Sequence, residues 1–215
     1  MDANFWHSRW QQNKIGFHQE RGSAYLRTFF DKWALPRQAR VFVPLCGKSQ
    51  DMLWLRDQGC EVYGVELSPV AVAAFFEENG LTVKTETIGD FSIWRSDGIT
   101  LFCGDFFRLQ SAYLPEIDGI YDRASLIALP SKMRLSYVSH LLSLTQSATR
   151  ILLITLDYPQ AEMEGPPFAV TTVEMRELFD RRCQIHVLAT TDALAENHRF
   201  ALTRLEESAY LLLRS

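Results

Sequence analysis

The sequence predicts an α/β fold in which helices cover both faces of a mostly parallel sheet. Helix and strand patterns alternate from about residue 40 onward, as they do in parallel sheets with crossover helices. Successive predicted strands end at an acidic residue, and the strand predicted over residues 150–156 contains an apolar run, residues 151–156, that is typical of burial on both faces. With 215 residues, 47% of them hydrophobic, the chain can build one large core.

Seven strands are expected in this sheet. The first covers residues 40–44, and its helix over residues 49–58 is expected to stop at Gly59. The last two strands are expected to pair and to give the sheet an antiparallel C-terminal edge. In chain order, the strands after the first cover residues 62–66, 99–103, 117–122, 150–156, 183–191 and 207–213.

Capping signals predict where three helices begin. Ser68 followed by Pro69 predicts a helix start, because serine accepts a backbone hydrogen bond at the N-cap and proline suits the first helical position. Ser131 is expected to cap the long helix that follows the fourth strand. Thr171-x-x-Glu174 has the spacing of a capping box and predicts the start of the last helix.

Two segments stand outside this alternation. Residues 1–38 carry several aromatic side chains before any strand, and we expect them to form a helical lid over a core that spans residues 39–215. Lid and core are expected to form one domain over residues 1–215. Residues 157–170 contain three prolines and are expected to form a long loop, and such loops are usually functional.

Composition excludes several classes of protein. The net charge of −4, without clustered basic residues, argues against a nucleic-acid-binding surface. No apolar run approaches the roughly 18 residues that span a bilayer, and the N-terminal residues lack a secretory signal pattern, so we expect a cytoplasmic protein with no membrane partner. The cysteines and histidines are scattered, so we expect reduced thiols and no metal site. The sequence shows no apolar stripe of the kind that forms a subunit interface, so a monomer is expected.

A glycine turn after the first strand and an acidic residue at the end of the second are typical of a site for a nucleotide-like cofactor. Gly47 lets the backbone approach a ligand closely. Glu66 follows 19 residues later, where an acidic side chain accepts hydrogen bonds from ribose hydroxyls.

The type of cofactor follows from what this turn lacks. Its Gly-Lys-Ser tail suggests a phosphate-binding loop, but the first glycine of that motif would fall on Phe42. The dinucleotide fingerprint needs three glycines, and Gly47 is the only one in the turn. S-adenosylmethionine carries adenine and ribose without phosphate, so its binding requires neither of these motifs. A phosphotransferase with an unusual phosphate loop, and a non-catalytic binding protein with this fold, remain as alternatives.

The next two strand ends add further candidates. Asp105 and Phe106 are placed where they can contact an adenine, and Arg123 is placed near the methionine part of the cofactor. Each has an ordinary structural explanation as well: acidic residues at strand ends often cap turns, and aromatic residues such as Trp6 and Trp10 often pack in a core. Acidic residues at the ends of three successive strands nevertheless favour a binding site over three separate caps.

These residues belong to a set of motifs that spans nearly the whole chain. The sequence resembles the thiopurine S-methyltransferase family, whose members are class I S-adenosylmethionine-dependent enzymes. The motifs that carry the resemblance are Trp6-x-x-x-Trp10, Gly16-Phe17-His18-Gln19-Glu20, Pro44-Leu45-Cys46-Gly47-Lys48, Gly64-Val65-Glu66, Tyr121-Asp122-Arg123 and Gly165-Pro166-Pro167-Phe168.

The resemblance implies a Rossmann-like class I methyltransferase fold and methyl transfer from S-adenosylmethionine to the sulfur of aromatic or heterocyclic thiols. Selenium and tellurium compounds are further expected acceptors. No catalytic residue is expected, because an aromatic thiol is largely thiolate near neutral pH and positioning suffices. The family's basic residues at the C-terminal pocket wall align only approximately with residues 197–199. The resemblance places Trp6, Trp10, Leu45, Gly47, Glu66, Asp105, Phe106 and Arg123 at the cofactor, and Phe17, Arg123, Pro167 and Phe168 at the acceptor.

Overall fold

A computed structural model of the protein describes residues 3–16, 18–195 and 201–214. The strands are β1 (Arg40–Val43), β2 (Glu61–Glu66), β3 (Lys84–Ile88), β4 (Phe91–Ser96), β5 (Ile99–Cys103), β6 (Gly119–Arg123), β7 (Arg150–Asp157), β8 (Cys183–Asp192) and β9 (Glu206–Arg214). The helices are α1 (Ala3–Gln11), α2 (Ala24–Trp33), α3 (Asp51–Asp57), α4 (Pro69–Glu78), α5 (Ser131–Ser143) and α6 (Thr172–Phe179).

The described strands form one sheet in the order β3-β4-β5-β2-β1-β6-β7-β9-β8. Its five central strands, from β5 to β7, are parallel, and antiparallel strands flank them on both sides. The predicted α/β class with a mostly parallel sheet is therefore confirmed. The C-terminal strand β9 lies antiparallel between β7 and β8, so β8 forms the edge itself.

The predicted number of seven strands was wrong, because the described sheet has nine. The two strands that the sequence did not reveal are the hairpin of β3 and β4, which extends the sheet beyond β5. Residues 84–87 of β3 are exposed, so the strand carries no apolar pattern that a sequence reading can detect. Its strand conformation depends on backbone pairing with β4, joined by a turn at Gly89, whose φ is +57°.

Apolar cores form on both faces of the sheet. Alternate residues of a strand point to opposite faces; accordingly Phe42 belongs to one buried cluster, while Val41 and Val43 belong to another. The predicted burial of β7 is confirmed, since residues 151–155 are all buried. No helix in the described ranges is long and apolar enough to cross a membrane.

Two of the three predicted helix caps are confirmed. The Ser68 hydroxyl accepts a hydrogen bond from the Ala71 amide at 3.5 Å, and Thr171 Oγ1 accepts one from the Glu174 amide at 3.1 Å. The prediction for Ser131 was wrong, because Ser131 is already the first residue of α5 and Pro130 occupies the cap position. A proline cannot contribute a capping side chain, so this helix begins without one.

The segment between α1 and α2 is fastened to the sheet by a buried carboxylate. Asp51, at the start of α3, is 1% exposed. Its Oδ1 accepts a hydrogen bond from the Ser23 amide at 2.6 Å, and its Oδ2 accepts one from the Tyr121 hydroxyl at 3.0 Å. Since Tyr121 belongs to β6, one side chain joins the N-terminal segment, α3 and the centre of the sheet.

We predict that Asp51→Ala lowers the free energy of unfolding by about 3 kcal/mol, because it leaves the Ser23 amide and the Tyr121 hydroxyl buried without an acceptor. Urea denaturation followed by circular dichroism measures the loss. The matched control is Asp57→Ala on the same helix, which removes an exposed ion pair with Arg56 and should cost less than about 0.5 kcal/mol. Equal losses in the two variants would contradict the role given to Asp51.

Candidate functional site

A cavity of about 790 Å³ lies at the carboxyl ends of the parallel strands β1, β2 and β6. Ligands of open parallel sheets bind at this end of the strands. The cavity brings together all the residues predicted to contact the cofactor, and their individual roles stay predictions. These residues are Trp6, Trp10, Leu45, Gly47, Glu66, Asp105, Phe106 and Arg123.

The residues predicted to contact the acceptor are placed less uniformly. Arg123 and Pro167 line the cavity. Phe168 is not among the lining residues, and its ring lies instead against Gly165, where an added Cβ would approach the ring to 2.5 Å. Phe17 and residues 197–199 lie outside the described residues, so the predictions for them stay predictions.

The Glu66 carboxylate joins the ends of β1 and β2. Its Oε2 accepts a hydrogen bond from the Gly47 amide at 3.0 Å, and its Oε1 accepts one from the Ser68 amide at 2.7 Å. The residue is 6% exposed and lines the cavity. An ionised carboxylate has about four acceptor positions on its two oxygens. The backbone donors, which include the Leu67 amide, therefore leave acceptor capacity for ligand hydroxyls such as those of a ribose.

Burial raises the pKa of Glu66 to about 7, against the opposing effect of the hydrogen bonds from Ser68 and Gly47. Desolvation disfavours the charged form of a carboxyl group, whereas hydrogen-bond donors favour it. Without a ligand the group is therefore partly protonated near neutral pH. Two further donors from a ligand would lower this pKa, so ionisation of Glu66 and binding of a ribose favour each other.

Trp10 lies directly on the backbone of the glycine turn. Gly47 has a left-handed backbone with a φ of +53°, and a Cβ at this position would lie 3.0 Å from Cζ2 of Trp10. Trp10 is 7% exposed and belongs to α1, which packs against α4. The indole ring thus closes one side of the cavity, and a side chain at position 47 would press against it while straining the backbone.

The lysine of the turn is engaged by another side chain. Lys48 Nζ lies 2.6 and 2.8 Å from the two carboxylate oxygens of Glu78 on α4. In a phosphate-binding loop the corresponding lysine reaches the phosphates. Here its charge is already paired, and its side chain is only 12% exposed. The phosphotransferase alternative is not supported, and the ion pair instead connects α4 to the turn.

Asp105 and Phe106 serve the fold and line the cavity at the same time. Asp105 Oδ1 accepts a hydrogen bond from the Phe107 amide at 3.0 Å, which caps the short 3-10 helix Phe106–Arg108. The Phe106 ring is 2% exposed and meets the His140 ring edge-on at a centroid distance of 4.9 Å. Asp105 therefore does cap a turn, as acidic residues at strand ends often do, and this role uses Oδ1 and leaves Oδ2 for a ligand.

The remaining part of the cavity is mostly apolar, and we call it the acceptor wall. Beside it lies Arg123, whose guanidinium makes no hydrogen bond or ion pair with a residue in the described ranges. His18 also lines the cavity, where burial and the nearby cations of Lys48 and Arg123 lower its pKa. The acceptor wall consists of Ile127, Ala128, Leu129, Met133, Ile154, Leu156, Pro166 and Pro167.

Most of the acceptor wall escaped the sequence analysis, although a signal for part of it was present. Residues 126–129 are apolar and follow Arg123 closely, yet they form no strand. An apolar stretch immediately after the carboxyl end of a parallel strand faces the region where ligands bind. Met133, Ile154 and Leu156 gave no comparable signal, because their positions in α5 and β7 suit an ordinary core equally well.

Comparisons with known proteins agree with this geometry. The sequence profile of the thiopurine S-methyltransferase family matches residues 1–215. A thiopurine S-methyltransferase of Nitrosospira multiformis is 52% identical over 217 residues, covering 99% of this chain and 98% of the relative. One from Pseudomonas fluorescens is 46% identical over 213 residues, covering 98% of both chains.

Solved structures agree on the fold. A S-adenosylmethionine-dependent methyltransferase from Anabaena variabilis has a TM-score of 0.69 at 13% identity, covering 99% of this chain and 95% of that one. A 1,6-didemethyltoxoflavin N1-methyltransferase from Burkholderia thailandensis, solved with S-adenosylhomocysteine, has a TM-score of 0.63 at 14% identity and covers 98% of this chain and 86% of that one.

The order of the sheet and the likeness to these solved structures define the class I methyltransferase fold, and the match to the family model defines an enzyme that depends on S-adenosylmethionine. The similarity over the full length is more specific than the fold. The chain belongs to the thiopurine S-methyltransferase family.

We predict that Gly47→Ala weakens binding of S-adenosylhomocysteine at least about tenfold, because the new methyl group meets Trp10 while the left-handed backbone is strained. The matched control is Gly80→Ala, which has a similar φ of +62° but no atom within 4 Å of the added Cβ. Both variants should lose about 1 kcal/mol of stability from the backbone alone, and calorimetric titration should show the binding defect only in Gly47→Ala. Equal affinities in the two variants would contradict the packing of Trp10 on the turn.

Proposed function

We propose that this protein transfers the methyl group of S-adenosylmethionine to the sulfur of aromatic or heterocyclic thiols. The observation that carries the proposal is the position of the Glu66 carboxylate. It is fixed beside a glycine turn that lacks a phosphate-binding motif, in a cavity whose acceptor wall is apolar. The names of relatives that are 46–52% identical over nearly the whole chain support sulfur as the acceptor atom.

The residues of the cavity fit the chemistry of this cofactor. Glu66 offers acceptor positions to the two ribose hydroxyls, and Asp105 with Phe106 offers an acceptor and an apolar face to an adenine. Arg123 offers a positive charge to a carboxylate, either that of the cofactor or that of an anionic acceptor. The lysine of the turn, which a phosphate-binding loop would direct at the phosphates, is paired here with Glu78.

When bound, S-adenosylmethionine supplies a methyl group activated by a sulfonium. The acceptor wall excludes water and orients a planar acceptor, and alignment at about 3 to 3.5 Å between the reacting atoms is the main requirement of such a displacement. Arg123 favours the thiolate over the thiol, because a nearby cation lowers a thiol pKa. No residue has to remove the proton from a thiol that is already ionised, so we assign no general base.

The N-terminal residues complete the proposed site. Residues 1–38 act as a lid on the core of residues 39–215, with Trp6 and Trp10 covering the cofactor side of the cavity. An indole ring beside a sulfonium contributes about 0.5 to 2 kcal/mol, depending on desolvation. Selenols and tellurium compounds are further acceptors in this proposal, since the acceptor wall has no group that selects for sulfur by hydrogen bonding.

The test is a transfer assay with methyl-labelled S-adenosylmethionine and sets of acceptors that share one ring but differ in the reacting atom: thiol, selenol, hydroxyl and amine. Methylated thiol and selenol should form rapidly, because these acceptors are ionised near neutral pH and their nucleophilic atoms are soft. The matched hydroxyl and amine compounds should react at least about 100-fold more slowly, since no general base assists them.

Two carboxylate variants control this assay. Glu66→Ala should lower kcat/KM at least about 100-fold, because it removes the two charge-assisted hydrogen bonds proposed for the ribose. Glu86→Ala, which removes a carboxylate from the exposed hairpin, should leave kcat/KM unchanged. Binding of the cofactor without transfer to any acceptor would favour the non-catalytic alternative and overturn the proposal.

A further inference from the structure

The turn after β6 is held by a carboxylate that does not line the cavity. Asp122 is fully buried, with Oδ1 accepting a hydrogen bond from the Leu126 amide at 3.1 Å and Oδ2 accepting one from the Tyr137 hydroxyl at 2.7 Å. Ala124, inside the turn, has a left-handed backbone with a φ of +64°, which is uncommon for a residue other than glycine. The turn is therefore tightly determined by its surroundings.

Ser125 connects this turn to the glycine turn of residues 44–48, which we call the cofactor turn. Its side chain is fully buried, and its hydroxyl donates a hydrogen bond to the Pro44 carbonyl oxygen at 2.6 Å. Pro44 immediately precedes Leu45, which lines the cavity on the cofactor side. One hydroxyl thus joins the segments that follow β1 and β6 at the carboxyl end of the sheet, beside the cavity.

From Ser125 the hydrogen bonds continue through the acceptor wall. The Ala128 amide donates to the Ser125 carbonyl oxygen at 3.0 Å, and the Phe168 amide donates to the Ile127 carbonyl oxygen at 2.7 Å. The Tyr158 hydroxyl donates to the Pro167 carbonyl oxygen at 2.6 Å. We call residues 158–171, between β7 and α6, the proline loop. This loop, the short 3-10 helix Leu126–Ala128 and the cofactor turn are therefore connected in series.

We propose that Ser125 is a positioning residue that holds the acceptor wall in register with the cofactor turn. This inference rests on the proposed function, because the two parts of the cavity must present their ligands to each other for methyl transfer. Ser125 does not line the cavity, and its hydroxyl donates to the Pro44 carbonyl oxygen and lies beside the buried Asp122 carboxylate, so it contacts neither ligand. Its effect passes through the backbone of the two turns and through Asp122, which holds the turn after β6.

Such a residue affects transfer more than binding. Each ligand is held mainly by one part of the cavity, so a small shift between the parts leaves each set of contacts intact. Transfer requires both ligands in one alignment, and a displacement of about 1 Å costs about 100-fold in rate. Loss of the Ser125 hydroxyl should therefore lower kcat while KM for the acceptor and Kd for the cofactor remain nearly unchanged.

The first measurement compares Ser125→Ala with Thr149→Val in steady-state methyl transfer. Thr149 is a matched control, since it is fully buried and its hydroxyl donates to the Ile117 carbonyl oxygen at 2.7 Å, before the amino ends of β6 and β7 and away from the cavity. Ser125→Ala should lower kcat about 10- to 100-fold with changes below about threefold in KM and Kd. Thr149→Val should keep kcat within about twofold at a comparable loss of thermal stability.

The second measurement does not depend on catalysis. Hydrogen exchange is followed by NMR at the amides of Ala128, Leu129 and Phe168, with and without saturating S-adenosylhomocysteine. In the wild type and in Thr149→Val, the ligand should slow exchange at these amides, because the cofactor turn is connected to them. In Ser125→Ala, slowing should persist at Gly47 and disappear at the three amides of the acceptor wall.

The two measurements separate this inference from the proposed function. If the wild type transfers no methyl group, the proposed function fails while hydrogen exchange still tests the connection. The inference is overturned if Ser125→Ala and Thr149→Val lose kcat equally. It is also overturned if the ligand slows exchange at the acceptor wall in Ser125→Ala as strongly as in the wild type.

Discussion

The site depends on one buried carboxylate held by two backbone amides. Glu66 binds the Gly47 amide at 3.0 Å and the Ser68 amide at 2.7 Å, and thereby fixes the glycine turn after β1 against the start of α4. The glycine backbone makes room for Trp10, and Lys48 next to it pairs with Glu78 on α4. Moving the carboxylate would disturb the turn, the helix start and the aromatic cover together.

The same construction recurs at two other places along this edge of the sheet. Asp51 joins the Ser23 amide to the Tyr121 hydroxyl, and Asp122 joins the Leu126 amide to the Tyr137 hydroxyl. Burial raises the pKa of Asp122 to about 6 and that of Glu66 to about 7. Because both values exceed those of the unfolded chain, the stability that these two groups contribute falls as the pH rises toward 7. When the Glu66 carboxylate accepts hydrogen bonds from a ligand, its charged form is stabilised and part of the free-energy cost of burying it is offset.

The parts of the fold that depend on residues close together in the sequence were predictable. Proline and serine at the start of α4 and the apolar run of β7 specify their elements without help from distant residues. The exposed strand β3 could not be found in this way, because its conformation depends on pairing with β4 rather than on its own side chains. The residue type of Ser131 suits a cap, but the preceding proline occupies that position.

The cofactor part of the site was predictable because its residues form a recognisable local pattern, whereas the acceptor wall has no such pattern. Gly47 and Glu66 have unusual residue types at fixed spacing after two strands, and the chemistry of a ribose needs both. The acceptor wall uses ordinary apolar residues from the segment that follows β6, from α5, from β7 and from the proline loop. These segments are distant in the sequence and come together only in the folded chain. Ser125 was equally hidden, since nothing in the sequence pairs a serine with the carbonyl group of Pro44.

The central claim is that the Glu66 carboxylate binds the ribose hydroxyls of the cofactor. Calorimetric titration of S-adenosylhomocysteine and its 2′,3′-dideoxy analogue into the wild type and into Glu66→Ala tests it directly. Removing the hydroxyls should weaken binding to the wild type about 100-fold or more, and should leave the affinity of Glu66→Ala nearly unchanged, because the partner is already absent. An equal loss of affinity in both proteins would contradict the account.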